Sequence, residues 1–180
     1  EPVTDYRLSA PEKLTVADTT VTVFYGALRT SFAIEVTERT PWGGSGTAED
    51  PYRIGTAEEL AALGEKVAKG NPYTDVTFVL TANIDLSDYP DWKPIGKDSA
   101  QFDGIFDGRG YAIDNLYSKK GGLFGTVCTN AVIRNVGVAS GQIGSENLSF
   151  MGAIAKWSNG ADFINCWNGA DILCSGWSGG

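Results

Sequence analysis

Gly121-Gly122-Leu123-Phe124-Gly125, followed by Val132-Ile133-Arg134-Asn135-Val136-Gly137-Val138, is echoed further along the chain. The echo runs Met151-Gly152-Ala153-Ile154-Ala155 and then Phe163-Ile164-Asn165-Cys166-Trp167-Asn168-Gly169. Gly122 and Gly152 stand 30 residues apart, and Gly179-Gly180 open what reads as a third copy at about that interval. A period of roughly 20–50 residues marks stacked units, none of which buries its apolar face alone. These copies hold short apolar runs and glycine turns without a helical pattern. The units are therefore strands, and the assembly is a β-solenoid.

Working outward, Ile113-Asp114-Asn115-Leu116, Ile133-Arg134-Asn135-Val136 and Ile164-Asn165-Cys166-Trp167 share a pattern. Stacked as equivalents, they predict an inner column of Ile113, Ile133 and Ile164, with one strand spacing of ~4.8 Å between rungs. Asn115 and Asn135 would then form an amide ladder broken at Cys166. Upstream, Phe78-Val79-Leu80 and Ile84-Asp85-Leu86 read as short strands, and Asp103-Gly104 and Asp107-Gly108 as tight turns. One helix is expected. Thr56 and Glu59 form a capping box, Leu60, Leu63 and Val67 share a face, and Gly70-Asn71-Pro72 stops it. Such a helix ahead of a solenoid is expected to cover its open end.

Before it, residues 1–38 read as β. Thr20–Tyr25 alternates, and so does Ser31–Thr37, which puts Phe32, Ile34 and Val36 on one face. Gly26-Ala27-Leu28-Arg29 reads as the hairpin loop between them, and Tyr6-Arg7-Leu8 as a third strand. Thr40-Pro41-Trp42-Gly43-Gly44-Ser45-Gly46-Thr47 is a linker by composition.

Composition narrows the function classes. The chain has 180 residues, 42% of them hydrophobic and 20% charged, which is globular rather than disordered. A net charge of −8 argues against nucleic acid or an anionic membrane as partner. Histidine is absent, which removes Ser-His and Cys-His pairs and the usual zinc ligand. Cys128, Cys166 and Cys174 have neither metal-ligand spacing nor an even count, and are expected as buried small hydrophobes. No run approaches the ~18 apolar residues of a membrane span, and no signal peptide is visible. The Glu1-Pro2 start and the finish inside a repeat lead us to expect a piece of a longer protein.

Three clusters invite a chemical reading. Asp85, Asp88 and Asp91 recur every three residues in a turn-rich loop and are a candidate Ca²⁺ site, though without the spacing of an EF-hand. Asp103 and Asp107 could be paired as the two carboxylates of a glycosidase, but each precedes glycine, and the turn reading prevails. Trp157, Trp167 and Trp177 are candidate platforms for sugar rings. Spaced ten apart, they do not all take one position of a 30-residue rung.

Two stretches also resemble known families. Leu14 through Val21-Thr22-Val23-Phe24-Tyr25-Gly26 to Phe32-Ala33-Ile34-Glu35-Val36 resembles the closing strands of a bacterial Ig-like domain. Residues 47–125 resemble an opening module of bacterial surface proteins. The matching residues are Gly46–Ile54, Thr56–Leu60, Leu80–Leu86, Trp92–Gly96 and Phe106–Gly110. Residues 121–180 resemble GLUG-type repeats, with Gly122-Leu123-Phe124-Gly125 as the signature. The resemblance implies a mainly β chain: a right-handed parallel β-helix with one N-terminal capping α-helix, preceded by a partial Ig-like β-sandwich. The divisions are 1–39 for the Ig-like strands, 40–46 for the linker and 47–180 for the β-helix.

The function expected is that of a non-catalytic architectural or adhesive module of a secreted or cell-wall-attached, Gram-positive bacterial protein. It would present a surface to a host or environmental glycan or protein, without inserting into a membrane. Two alternatives stand beside it. One is an accessory domain of a secreted carbohydrate-active enzyme or IgA1-protease-type metallopeptidase. The other is a filament module that self-associates through an open C-terminal rung.

Overall fold

The structure, a computed structural model, describes residues 7–9, 20–25, 27–33, 40–145, 147, 149–175 and 178–179. The chain divides into two compact units, residues 1–40 and 41–180. The first holds an antiparallel sheet of β1 (Arg7–Ser9), β2 (Thr20–Tyr25) and β3 (Leu28–Ala33), in that order. Tyr25 pairs with Leu28, so the hairpin loop is shorter than the four residues expected. β3 is exposed along its whole length. Leu14, Gly26 and the run Ile34–Thr37 lie outside the described residues.

The second unit is a parallel coil. Its first rung holds β4 (Tyr52–Ile54) and the helix α1 (Ala57–Ala68), and its second β5 (Thr77–Leu80) and β6 (Ile84–Asp85). The third holds β7 (Ile105–Asp107), β8 (Ala112–Asp114), β9 (Leu116–Ser118) and β10 (Phe124–Val127). The fourth holds β11 (Val132–Arg134), β12 (Gly137–Val138), β13 (Gly141–Gly144), β14 (Met151–Gly152) and β15 (Ala155–Ser158). The last described rung holds β16 (Asp162–Ile164), β17 (Trp167–Asn168), β18 (Asp171–Leu173) and β19 (Ser178–Gly179). Sheets run β16-β11-β7-β5-β4, β17-β12-β8-β6, β18-β13-β9, β10-β15 and β14-β19, with every pairing parallel. The second unit is thus a mainly-β solenoid, with one helix among the described residues. Gly179 pairs with Gly152, as the third copy of the repeat requires.

α1 forms where expected. Thr56 Oγ1 accepts from Glu59 N at 3.2 Å, and Glu59 Oε2 accepts from Gly55 N at 2.7 Å. Twelve residues are marginal as an isolated helix, so packing must hold it. Leu60, Leu63 and Val67 are fully buried in the common core, worth roughly 1.5–3 kcal/mol each. The stretch read as a linker also contributes to that core. Trp42 is 4% exposed, packs against Tyr52, Tyr73 and Phe78, and donates from Nε1 to Glu59 O. Gly43 bridges Arg53. Polar, glycine-rich flanks hid a single anchoring indole.

The register corrects the column inferred from sequence. Ile133 pairs with Phe106 and Phe163, while Ile113 pairs with Ile84 and Val138. Ile164 pairs with Arg134 and is 46% exposed. The columns are therefore Phe78–Phe106–Ile133–Phe163 and Ile84–Ile113–Val138. The shared pattern of Ile, any residue, Asn reports a corner rather than a rung position. Asn115, Asn135 and Asn165 all sit at φ 53–54, the left-handed region that asparagine tolerates. They turn the chain at two different corners of the coil. The amide ladder is also shifted: Asn165 Nδ2 donates to Asn135 Oδ1 and Asn135 Nδ2 to Asp107 Oδ1, each at 3.1 Å. Asn115 instead donates to Asp85 Oδ1 at 2.9 Å.

Gly122 illustrates why the repeat carries glycine. A Cβ there would collide with the carbonyl oxygens of Gly152 and Ala153 in the next rung. Leu123 and Phe124 behind it are fully buried. The three cysteines, expected in the core, are each only partly buried.

The register yields a paired prediction. Ile133 is fully buried, so Ile133→Asp places a charge inside the coil and abolishes cooperative unfolding, a penalty above ~4 kcal/mol. Ile164→Asp, on an exposed outer position, shifts the melting temperature by only a degree or two, within the ~0.5 kcal/mol typical of surface changes. Circular dichroism melts of the two variants test it. Equal damage from both would contradict the register.

Candidate functional site

A cleft of about 950 Å³ opens along the flank of the solenoid unit. One wall is a face of α1 carrying Ala61, Gly64, Glu65 and Ala68, spaced so that they neighbour one another on a helix. The helix lies close to the floor, since a Cβ on Gly64 would stand 3.6 Å from Ile95 Cγ1. The floor is the segment Asp91–Gly96 with Gly125 and Thr126 of β10. Trp92 fixes it, donating from Nε1 to Leu123 O at 3.1 Å while its carbonyl accepts from Ser118 Oγ at 3.0 Å. The opposite wall carries Phe150 and Trp157.

These two aromatics are the most distinctive part. Trp157 is 52% exposed and Phe150 51%. Their rings meet edge to face at 6.2 Å and 86°. Phe150 holds φ 60, a left-handed conformation that costs a bulky residue on the order of 1–3 kcal/mol. Around them the rim is polar. Thr126 Oγ1 donates to Asp98 Oδ1 at 2.9 Å, and Asn159 Nδ2 to Gln101 Oε1 at 2.9 Å. Lys93, Lys97, Lys120 and Lys156 also line the cleft. The Asp91 carboxylate is held below the usual aspartate range by Lys93 and by the Lys119 N–H.

The sequence candidates separate. Trp157 lies on β15 in this cleft. Trp167 lies on β17, in a different sheet, with its indole packed over Gly137, where a Cβ would strike the ring. It borders a smaller polar hollow with Asp107, Arg109, Asn135 and Asn165. Trp177 lies outside the described residues. Asp85, Asp88 and Asp91 do not converge: among the described residues no three His, Cys, Asp or Glu side chains come together to hold a metal. Asp85 accepts from Asn115 Nδ2 and Ser87 N, which lower its pKa. Asp91 is engaged with Lys93.

Asp103 and Asp107 are both tied to side chains of other rungs. Asp103 accepts from Thr74 Oγ1 at 2.8 Å and from the Asn130 backbone and side-chain nitrogens, each at 3.1 Å. Asp107 accepts from Arg134 Nε at 2.8 Å, Arg109 N at 2.9 Å and Asn135 Nδ2 at 3.1 Å. In both, burial pushes the carboxyl up, but the hydrogen bonds outweigh it and the pKa is lowered. Phe150 escaped the sequence reading, because an isolated phenylalanine in a polar stretch carries no periodic signal.

No family model matches the chain. It is 33% identical over 114 residues to a protein of Evansella cellulosilytica provisionally named a Gly-rich membrane protein. That match covers 58% of this chain and 13% of the relative. It is 34% identical over 147 residues to the halomucin of Haloquadratum walsbyi, covering 73% of this chain and 2% of that protein. The chain thus spans a small fraction of the relatives it matches. Among solved structures, it superposes on a protein of Bacteroides ovatus provisionally named an immunoglobulin A1 protease. The TM-score is 0.54 at 22% identity, over 72% of this chain and 40% of the other, which establishes a shared fold. Among the described residues no helix is long and apolar enough to cross a membrane.

The Asp107 corner predicts an acid-sensitive fold. A carboxylate whose folded pKa is depressed adds stability above its unfolded value, near 3.8, and loses it as pH falls through the folded value. Melting temperature should drop as pH falls from about 5 toward 2. Asp107→Asn should be less stable at neutral pH and show a shallower fall. An unchanged acid limb in that variant would remove Asp107 from the account.

Proposed function

We propose that the solenoid unit is a non-catalytic binding module that seats a glycan in the cleft beneath Trp157. The observation carrying this reading is a half-exposed indole, propped edge-on by Phe150, inside a cleft rimmed by amide, hydroxyl and charged groups. A flat apolar face covers the C–H-rich side of a sugar ring, while the polar rim exchanges hydrogen bonds with its hydroxyls. The carboxylates paired for hydrolysis on sequence alone, Asp103 and Asp107, are engaged by Asn130 and Arg134 one rung on, which supports a binding rather than a catalytic role.

In the same proposal the coil is a right-handed β-helix of GLUG-type repeats, and residues 1–39 are the closing strands of an Ig-like domain. The whole belongs to a secreted or wall-attached bacterial protein of Gram-positive type. The name of the Evansella relative, a membrane protein, supports a place at the cell surface. A recognition role within a larger enzyme is the second reading, supported by a likeness covering 40% of a chain named as a protease.

A glycan array followed by calorimetry tests the first reading. Trp157→Ala should weaken the best glycan at least ten-fold, about 1.4 kcal/mol, without unfolding the protein, since the side chain is half exposed. Trp167→Ala should bind as the parent does. Undiminished binding by the Trp157 variant, or silence across the array, would count against the cleft.

A further inference from the structure

We infer that the cleft selects an acidic glycan, one whose ring lies on Trp157 and whose carboxylate or sulfate is held by Lys120 and Lys156. This rests on the reading of the cleft as a glycan site. The argument starts from charge. The chain carries −8 overall and has eight lysines, yet four of those lysines line this one cleft. Three carboxylates share it: Glu65, Asp91 and Asp98. Two of them are already engaged. Asp91 pairs with Lys93 and accepts from the Lys119 N–H, and Asp98 accepts from the Thr126 hydroxyl. Among the described residues, Lys97, Lys120 and Lys156 form no ion pair.

Local geometry gathers two of these cations. Lys120 stands just after β9, and Lys156 lies on β15, one rung on. Gly121, at φ 152, leaves room for the Lys156 stem: a Cβ there would stand 3.1 Å from Lys156 Cβ and 3.5 Å from its Cδ. The stem therefore lies against the residue that follows Lys120, so the two like charges come from adjacent rungs. Their repulsion is relieved when an anion enters between them. Lys156 and Trp157, consecutive on β15, both line the cleft. A neutral sugar offers these ammonium groups hydroxyl acceptors but no charge to offset theirs. An acidic one uses both halves of the site.

The test is calorimetry of the 180-residue chain at low salt with tetragalacturonate, a heparin-derived tetrasaccharide and cellotetraose. At least one acidic tetrasaccharide should bind about ten-fold tighter than cellotetraose. Which of the two binds tells carboxylate from sulfate. The double variant Lys120→Gln/Lys156→Gln should erase that margin without shifting the thermal melt, since both side chains are exposed. Raising NaCl from about 50 to about 500 mM should weaken only the acidic ligand. Equal affinity for cellotetraose, or a margin that survives the double variant, overturns the inference and leaves the glycan reading in place. Failure of all three to bind overturns the inference, and the glycan array then decides the glycan reading separately.

Discussion

In a parallel coil, each strand has its hydrogen bonds and its inner side chains completed by the next rung, so no rung is stable alone. Burial along one column shows the constraint at work. Phe78, Phe106 and Ile133 are fully buried, whereas Phe163, at the same inward position in the last described rung, is 41% exposed. The chemistry hardly changes along that column, but the cover does. At the first rung, Leu60, Leu63 and Val67 of α1 and the indole of Trp42 join the same core from outside the strand pattern.

Stacking also decides where irregularity is allowed. Ile95 and Phe102 bridge to Phe124 and Val127, and the residues between them bulge outward as a short loop closed by Lys97 and Ala100. A second excursion separates β13 from β14 and brings Phe150 to the same flank. Such excursions leave the inner columns intact, so they are free to carry binding groups. The cleft is therefore built partly from these excursions, which carry Phe150 and Lys97, and partly from the outer side of the coil, where β15 carries Lys156 and Trp157.

Much of this was legible from the residues. The helix and its capping box, the solenoid class and the return of glycine at Gly152 and Gly179 follow from local rules of capping and repetition. The inner register did not, because Ile113-Asp114-Asn115 and Ile133-Arg134-Asn135 look alike for a reason unrelated to stacking. Both put asparagine at a left-handed corner, and one coil has several corners. Trp42 was hidden by its glycine-rich surroundings, and Phe150 by its isolation. Trp157 was visible as a candidate, but only the fold separates it from Trp167, ten residues away in another sheet.

The central claim is the stacking register, and backbone nuclear Overhauser contacts in the labelled protein test it most directly. Adjacent strands lie ~4.8 Å apart, so paired residues give cross-strand contacts and unpaired ones do not. The account predicts contacts between the backbones of Ile133 and Phe106 and between those of Val138 and Ile113. A backbone contact between Ile133 and Ile113, with none between Ile133 and Phe106, would contradict it.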